Sequence, residues 1–123
     1  MFNFTGERPN NLGVKDGKLT ACPGTPNCVN SQATDTQSKV EPLPDVSIAE
    51  IKKVIEGMER TTIVEETDNY LYVEFKSKLM GYVDDVEFYR DAGMVHVRSA
   101  SRLGKSDLGV NRKRVEEIRS KLK

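Results

Sequence analysis

Polar side chains that could bind an anion or transfer a proton are concentrated between residues 84 and 112. They are Asp84, Arg98, Ser99, Ser101, Arg102, Asp107 and Arg112. An alternating stretch at 94–101 leads there into a polar loop and then into a helical pattern. Arginines, together with the first amides of a helix, bind carboxylates and phosphates. The set therefore predicts a site at the end of a sheet for an anionic small molecule or for a carboxylate of a protein partner.

The same residues allow a second interpretation, a hydrolase-type enzyme that uses Asp84 or Asp107 as acid and base. Asp84 and Asp85 cannot easily share one proton or one ion, because neighbours on a strand point to opposite faces. Asp84 falls on the face that we expect to be covered. A buried carboxylate needs a partner, and Arg102 or an amide in the 102–110 loop is the expected one. The sequence offers no activated nucleophile, so we favour a non-enzymatic binding or scaffold module without a cofactor.

Phosphate-loop and metal-site motifs are incomplete. Gly104 begins a Gly-Lys-Ser triplet similar to the end of a nucleotide-binding loop, but that motif needs glycine where this chain has Ser99. Cys22 and Cys28 are separated by five residues, a spacing that fits no common zinc pair, and the chain has only two Cys and one His. We therefore expect neither a nucleotide nor a metal at these motifs.

Cys22 and Cys28 enclose the sequence Pro-Gly-Thr-Pro-Asn, a short bend that could hold the two sulfurs close together. In an oxidising compartment we expect a disulfide, and in the cytosol two thiols. A structural link is favoured over a redox switch. His96 is expected on the outer face of the sheet, near Glu87 or Tyr89, as a surface histidine.

Charge is balanced over the whole chain but not along it. Residues 41–93 carry 13 acidic and 6 basic side chains, whereas residues 94–123 carry 3 acidic and 9 basic ones. Either the two parts attract each other in the fold, or the basic part binds an anionic partner. The pI of 6.6 argues against a dedicated nucleic-acid binder. The aromatic residues are not interleaved with basic ones as in RNA-recognition motifs, so no nucleic acid is expected.

Size and hydropathy indicate one globular domain. The chain has 123 residues, enough for a single hydrophobic core. No apolar run reaches the roughly 18 residues that span a bilayer. The first residues show no basic start followed by an apolar stretch, so we expect no secretory signal in this chain and a cytoplasmic location. We also expect a monomer.

The chain divides into an irregular arm, 1–40, and a patterned domain, 41–123. The arm is rich in Gly, Pro and Asn and has no helical or strand period. Loops of this length are unusual in compact domains. The arm is therefore either a flexible tail or a segment that lies across the folded part.

Periodicity in the domain predicts two helices and four strands. Ser47 and Glu50 form a capping box for a helix at 47–58, and a closing helix is predicted at about 110–122. Strands are predicted at 61–66, 70–78, 83–90 and 94–101. We expect an α+β fold, a four-stranded antiparallel meander sheet with both helices packed on one face. The expected core residues are Val64, Leu71, Val73, Phe75, Val86, Phe88, Val95 and Val97.

Strand register depends on the lengths of the turns. A four-residue loop at 90–93 places Asp85 opposite Arg98, whereas a two-residue loop keeps the same faces and places Glu87 there instead. We favour the first arrangement. The same argument at the 79–82 turn sets Phe75 beside Val86 and Lys76 beside Asp85. The exposed outer face would then carry a row of Lys76, Asp85 and Arg98.

Three blocks of the sequence resemble a known family. They are CPGTPNCVNSQ, FKSKLMGYVDDVEFY and HVRSASRLGKSDLGVNRKRVEEIR, at 22–32, 75–89 and 96–119. The chain resembles domain-of-unknown-function family fourteen-ninety-nine of bacteria and plastids over nearly its whole length. The resemblance implies no particular activity, substrate or cofactor. It does imply a location in the bacterial cell envelope or the plastid lumen.

Overall fold

The sheet of this protein has five antiparallel strands in the spatial order β1-β5-β4-β3-β2. The structure is a computed structural model that describes residues 5–78, 80–104 and 109–122. Its elements are β1 (Cys28–Asn30), α1 (Ile48–Glu56), β2 (Thr61–Glu66), β3 (Tyr70–Lys76), β4 (Val83–Asp91), β5 (Met94–Ser101) and α2 (Val110–Lys121). The predicted α+β class, the two helices and the antiparallel meander of β2 to β5 are confirmed.

The predicted number of strands is wrong because the arm contributes β1. This strand pairs with the free edge of β5, with Cys28 opposite Ala100 and Asn30 opposite Arg98. Three residues are too few to show an alternating pattern, so the strand has no signal of its own in the sequence. The predicted helix placement is wrong as well, and the two helices are not both packed on one face of a four-stranded sheet. With the sheet widened, α1 contacts β2 and β3, whereas α2 contacts β5 and β1.

Both helices begin and bury their side chains as their sequences predict. The amide of Glu50 donates to Ser47 Oγ at 3.1 Å, and Glu50 Oε1 accepts from the Ser47 amide at 3.4 Å, which completes the capping box. The isoleucines of α1 and two residues of α2, Val115 and Ile118, are buried in the main hydrophobic core. Neither helix among the described residues is long and apolar enough to cross a membrane.

The core contains every residue predicted for it except Val64. Val86 and Val97 are fully buried, as the predicted face parity requires. Val64 is 37% exposed because the preceding residue, Ile63, points to the core and successive side chains of a strand point to opposite faces; a bulge between Ile63 and Glu65 then shifts the pairing of β2 with β3. Ile63 packs against the core instead. A bulge inserts one unpaired residue and so reverses the face of the residues that follow it.

The turn between β4 and β5 has two residues, Ala92 and Gly93, both with positive φ, as in the tight turns preferred by hairpins. Glu87 therefore lies opposite Arg98, and the favoured pairing of Asp85 with Arg98 is wrong. The register of β3 with β4 also differs from the prediction, since Glu74 lies opposite Asp85.

The predicted row of Lys76, Asp85 and Arg98 consequently does not form, although each of these residues lies on the predicted face. Lys76 is opposite Val83, and Phe75 is opposite Asp84 rather than Val86. The slip is two residues in each hairpin, which preserves face parity but changes every partner.

The N-terminal arm lies across the outer face of the sheet. Leu19 packs with Tyr70 and Tyr72 in a second hydrophobic cluster, and Leu12 and Val14 pack against it. The arm therefore follows the second of the two predicted alternatives over its described residues. As a result, the face that we expected to be exposed is buried. Its charged members include Asp85, Glu87 and Arg98, with exposed fractions of 2%, 0% and 6%.

Candidate functional site

The structure distributes the predicted site residues over three different places. Asp84, Ser99 and Ser101 lie on the α2 side of the sheet, at its end. Arg98 and Arg102 lie on the opposite face, beneath the arm. Arg112 extends from α2 to the arm, and Asp107 lies outside the described residues. The predicted cluster is thus not one site, because residues of alternating parity on β4 and β5 point to opposite faces.

Two residues of the first group, Asp84 and Ser101, border a cleft of about 910 Å³ between the turn after α1, the ends of β3 to β5 and α2. Asp84 and Ser101 are directly opposite each other on β4 and β5, and both line the cleft. Much of the rest of the lining is apolar. These apolar side chains are Met58, Phe75, Tyr82, Val83, Leu103 and Val110. A volume of this size and a partly apolar lining are typical of small-molecule sites.

Among the described residues, Asp84 pairs with Arg114 and not with the predicted Arg102; residues 105–108 of the loop that was predicted to offer an amide instead lie outside the described residues. Arg114 Nη1 lies 2.9 Å from Asp84 Oδ2, and both side chains are largely buried. The Arg114 guanidinium also lies over the ring of Phe75, 4.7 Å from its centroid. Arg114 lies one helical turn before Ile118 and next to Val115, so the helical pattern that buries those residues offered a signal for it in the sequence.

Asn111 holds this end of the sheet together. Its Oδ1 accepts from Ser99 Oγ at 2.6 Å and from Arg114 Nη1 at 2.8 Å. Its Nδ2 donates to Ser101 Oγ at 3.0 Å and to the carbonyl of Asn27 at 3.1 Å. Asn111 and Ser99 are fully buried. Ser99 is therefore part of a polar network that joins β1, β5 and α2, and it does not face the cleft.

The side-chain hydrogen bonds of Arg114 to described residues and its 2.9 Å contact with Asp84 use one nitrogen, Nη1. They go to Asp84, Asn111 and Ser99. Neither Nε nor Nη2 donates a hydrogen bond to a side chain among the described residues. Arg114 lines the cleft, so the edge with these two nitrogens offers paired donors of the kind that bind carboxylates in a bidentate manner.

The electrostatic balance of the cleft is positive. Its basic side chains are Arg60, Lys76, Lys113, Arg114 and Lys121, and its acidic ones are Glu59, Asp84 and Glu117. In addition, within residues 109–122 α2 starts after Gly109 without a side-chain cap and with no acidic residue in its first turn. The partial positive charge of the helix start and the basic residues there reinforce each other, and an anion would relieve that repulsion.

Arg102 binds two carboxylates beneath the arm. Its Nε lies 2.9 Å from Asp85 Oδ2, and its Nη2 lies 2.9 Å from Asp85 Oδ1 and 2.6 Å from Glu74 Oε2. The Tyr72 hydroxyl donates to Asp85 as well. Hydrogen bonding to Asp85 raises the pKa of Arg102. Since the Arg102 side chain is only 5% exposed, this predicted ligand residue has a structural role.

Glu87 and Arg98 form a second buried charged group on the same face. Glu87 Oε2 accepts from the Tyr70 hydroxyl and from the amide of Gly13 in the arm. Burial raises the pKa of Glu87 and lowers the pKa of Arg98. Glu87 Oε1 and Arg98 Nε have no hydrogen-bond partner among the described residues. The arm shields both groups from solvent, so Arg98 is not available to a ligand in this arrangement.

Arg112 attaches the arm to the domain, whereas the predicted cysteine pair lies within the arm itself. Arg112 donates to the carbonyls of Lys39 and Gln37, each at 2.7 Å. Cys22 and Cys28 form a disulfide, which selects one of the two predicted states of these thiols.

His96 lies opposite Tyr89 and is partly buried, with Ser31 Oγ at 3.2 Å from its Nδ1. Burial lowers its pKa. The predicted position on the outer face near Tyr89 is confirmed, but the side chain is partly covered because the arm contributes Ser31. Within the described ranges, no group of three or more His, Cys, Asp or Glu residues is arranged to hold a metal ion.

The comparisons with known proteins identify the family. A family model described as "Protein of unknown function (DUF1499)" matches residues 18–122. The chain therefore belongs to this family, as the three sequence blocks predicted. No curated protein and no solved structure matches the chain.

Proposed function

We propose that this protein is a non-enzymatic binding module whose cleft holds an anionic small molecule. The acidic group of the ligand binds the outer edge of Arg114, with Lys113 nearby on the rim. The observation that supports this proposal most directly is the position of Arg114, which lines the cleft while its Nη1 is held by Asp84. Bidentate binding by arginine supplies both affinity and orientation.

A small molecule fits the cleft better than the carboxylate of a protein partner. The volume of about 910 Å³ lies within the range of small-ligand sites, and the walls come from five separate segments of the chain. The ion pair and the Asn111 network hold Arg114 in place before any ligand arrives. Preorganisation of this kind reduces the entropy lost on binding.

The proposal can be tested with anilinonaphthalene sulfonate, a fluorescent anion with an apolar body. We expect saturable binding to the folded protein that weakens as salt is added. The double variant Asp84→Asn/Arg114→Gln keeps polar groups at both positions but removes the cation, and we expect it to lose most of the affinity. Lys113→Gln should weaken binding, whereas Lys53→Gln, on the exposed surface of α1 and outside the cleft, should not. Binding that is equally strong in all four proteins would refute the proposal.

A hydrolase remains the second candidate, because Asp84 lines the cleft together with the hydroxyl of Ser101. Against it, the Asp84 carboxylate is held by Arg114 and the Ser101 hydroxyl accepts from Asn111. Turnover of ester or phosphoester substrates that disappears in Asp84→Asn would favour the enzyme over the binding module.

A further inference from the structure

We propose that the ligand of the cleft is a free single-chain anionic amphiphile, such as a long-chain carboxylate. This inference rests on the proposed function and specifies the chemical class of the ligand. The acid group binds Arg114 and Lys113, and the hydrocarbon chain lies along the apolar lining of the cleft.

The first observation is the distribution of exposed apolar side chains. Among the described residues, the large hydrophobic residues with exposed side chains are Val64, Met80, Tyr82, Leu103 and Val110. Three of them line the cleft, and Met80 is two residues from Tyr82 in the chain. Single exposed hydrophobic residues are normal on protein surfaces, but a group of them around one concavity indicates an apolar ligand.

The second observation is the shape of the cleft. Val110 and Lys121, at the two ends of α2, both line it. At 1.5 Å per residue, the cleft therefore follows the helix for roughly 16 Å. An elongated site of this kind fits an extended chain better than a compact ion such as phosphate.

The third observation is the position of the charges relative to the apolar residues. The Arg114 guanidinium covers the ring of Phe75, so the cation lies directly against the apolar floor. A carboxylate bound there would place its own chain along the apolar lining, which includes the exposed side chains of Tyr82, Leu103 and Val110. The positive group matches an anionic head group, and the apolar strip matches a hydrocarbon tail. We base the choice of ligand on this complementarity.

A free amphiphile fits the site better than the surface of a lipid bilayer. The apolar side chains line a recess of about 910 Å³ that lies between sheet and helix residues. A bilayer contacts protruding or flat surfaces, whereas a recess takes up one chain at a time.

The test is calorimetric titration of the full chain with saturated carboxylates below their critical micelle concentrations. We expect dodecanoate to bind, and affinity to rise by up to about four-fold for each methylene from hexanoate to dodecanoate. Dodecyl maltoside, which has the same chain but no charge, should bind at least about ten-fold more weakly, since it lacks the paired charge-assisted bonds. Anionic phosphatidylglycerol vesicles should not sediment the protein.

Variants of exposed valines test where the hydrocarbon chain of the ligand binds. Val110→Ser should reduce dodecanoate affinity by about ten-fold, because the ligand then buries less apolar surface at this position. Val64→Ser is the matched control, because Val64 is similarly exposed but does not line the cleft. Equal effects of the two variants would overturn the inference.

The experiments distinguish failure of this inference from failure of the proposed function. If anilinonaphthalene sulfonate binds through Arg114 but carboxylate affinity does not increase with chain length, the amphiphile is wrong and the anion site stands. If neither the sulfonate nor any carboxylate binds, both proposals are wrong. Sedimentation with vesicles without dodecanoate binding would replace the free amphiphile by a membrane surface.

Discussion

Arg102 binds Asp85 through two hydrogen bonds of 2.9 Å, on the face of the sheet opposite to the one where Asp84 meets Arg114. Two adjacent aspartates of β4 thus have separate arginines and separate roles. Asp85 and Arg102 are enclosed by the N-terminal arm and fix it to the sheet through the Gly6 carbonyl. Asp84 and Arg114 line the cleft. The division follows directly from the alternation of side chains along a strand.

Replacement of Arg102 by Ala should strongly destabilise the protein, because it leaves the nearly inaccessible Asp85 carboxylate without its cation. Removing one partner of a buried ion pair costs about 3–5 kcal/mol. In a domain of this size that corresponds to a melting temperature lower by about 10 °C or more. Arg8→Ala is the control, since Arg8 also pairs with Glu74 but is 52% exposed, and it should change the melting temperature little. A melting temperature of Arg102→Ala near that of the wild type would show that this pair is not structural.

Glu87 should make stability depend on pH in a defined direction. Because burial raises its pKa, the folded protein retains the proton to a higher pH than the unfolded chain does. Ionisation then disfavours the folded state once the pH rises above 4.5, the ordinary value, whereas below it both states are protonated. The free energy of unfolding of the wild type, relative to Glu87→Gln, should therefore fall as pH increases from about 4.5.

Urea unfolding of the wild type and of Glu87→Gln at pH values between 4 and 8 measures this difference. The variant also leaves Arg98 without the Glu87 carboxylate opposite it. This loss changes the free energy of unfolding of the variant by an amount of constant sign over this pH range. Only the change of the difference in unfolding free energy with pH therefore tests the assignment. A difference that rises with pH would contradict the assignment of Glu87 as a buried carboxyl with a raised pKa.

Reduction of the Cys22–Cys28 disulfide should lower stability without abolishing the fold. The bridge closes a short loop, and loop-closure entropy gives a contribution of about 2 kcal/mol. The urea midpoint should therefore decrease when dithiothreitol is present. The double variant Cys22→Ser/Cys28→Ser should show the lower midpoint with and without dithiothreitol. If the reductant lowers the midpoint of the double variant too, its effect does not come from this bridge.

Asn111 should be essential for the packing of α2 against β1 and β5. Asn111→Ala removes the acceptor of Ser99 Oγ and one donor to the Asn27 carbonyl, both in a buried region. Each buried group left unsatisfied costs about 1–3 kcal/mol. Thermal or urea unfolding should show a loss of at least this size. Asn69→Ala, in the exposed turn between β2 and β3, is the matched control and should have a much smaller effect.

Because Asn111 also holds Arg114, the same variant connects the network to the cleft. A loosened guanidinium should bind anilinonaphthalene sulfonate more weakly, even at temperatures where the variant is fully folded. An unchanged affinity in folded Asn111→Ala would mean that Asp84 alone positions Arg114.

The elements of the domain were predictable because their signals are local. The capping box of Ser47 and Glu50 starts α1, and alternation in 70–76 and 94–101 defines two strands with the correct buried faces. Face parity was correct for Val86 and Val97 because it depends only on the two-residue period of a strand. The disulfide was one of two predicted states, and the sequence alone does not choose between them.

Partners across the sheet were less predictable. Asp85 and Arg98 lie on the predicted face, but a turn of two residues instead of four moves each to a different neighbour. A shift of two preserves the hydrophobic pattern, so hydrophobicity cannot distinguish the two registers.

By itself, the sequence determined the helices, the four meander strands, the faces of their side chains and the family of the protein. Only the tertiary structure decided that β1 joins β5, that the arm buries Asp85 and Glu87, and that Arg114 rather than Arg102 meets Asp84. These contacts join segments far apart in the chain, and they depend on which surfaces remain uncovered once the meander has formed. No local sequence period encodes them. An arm without alternation takes its position from the strand edge and the sheet face that remain uncovered.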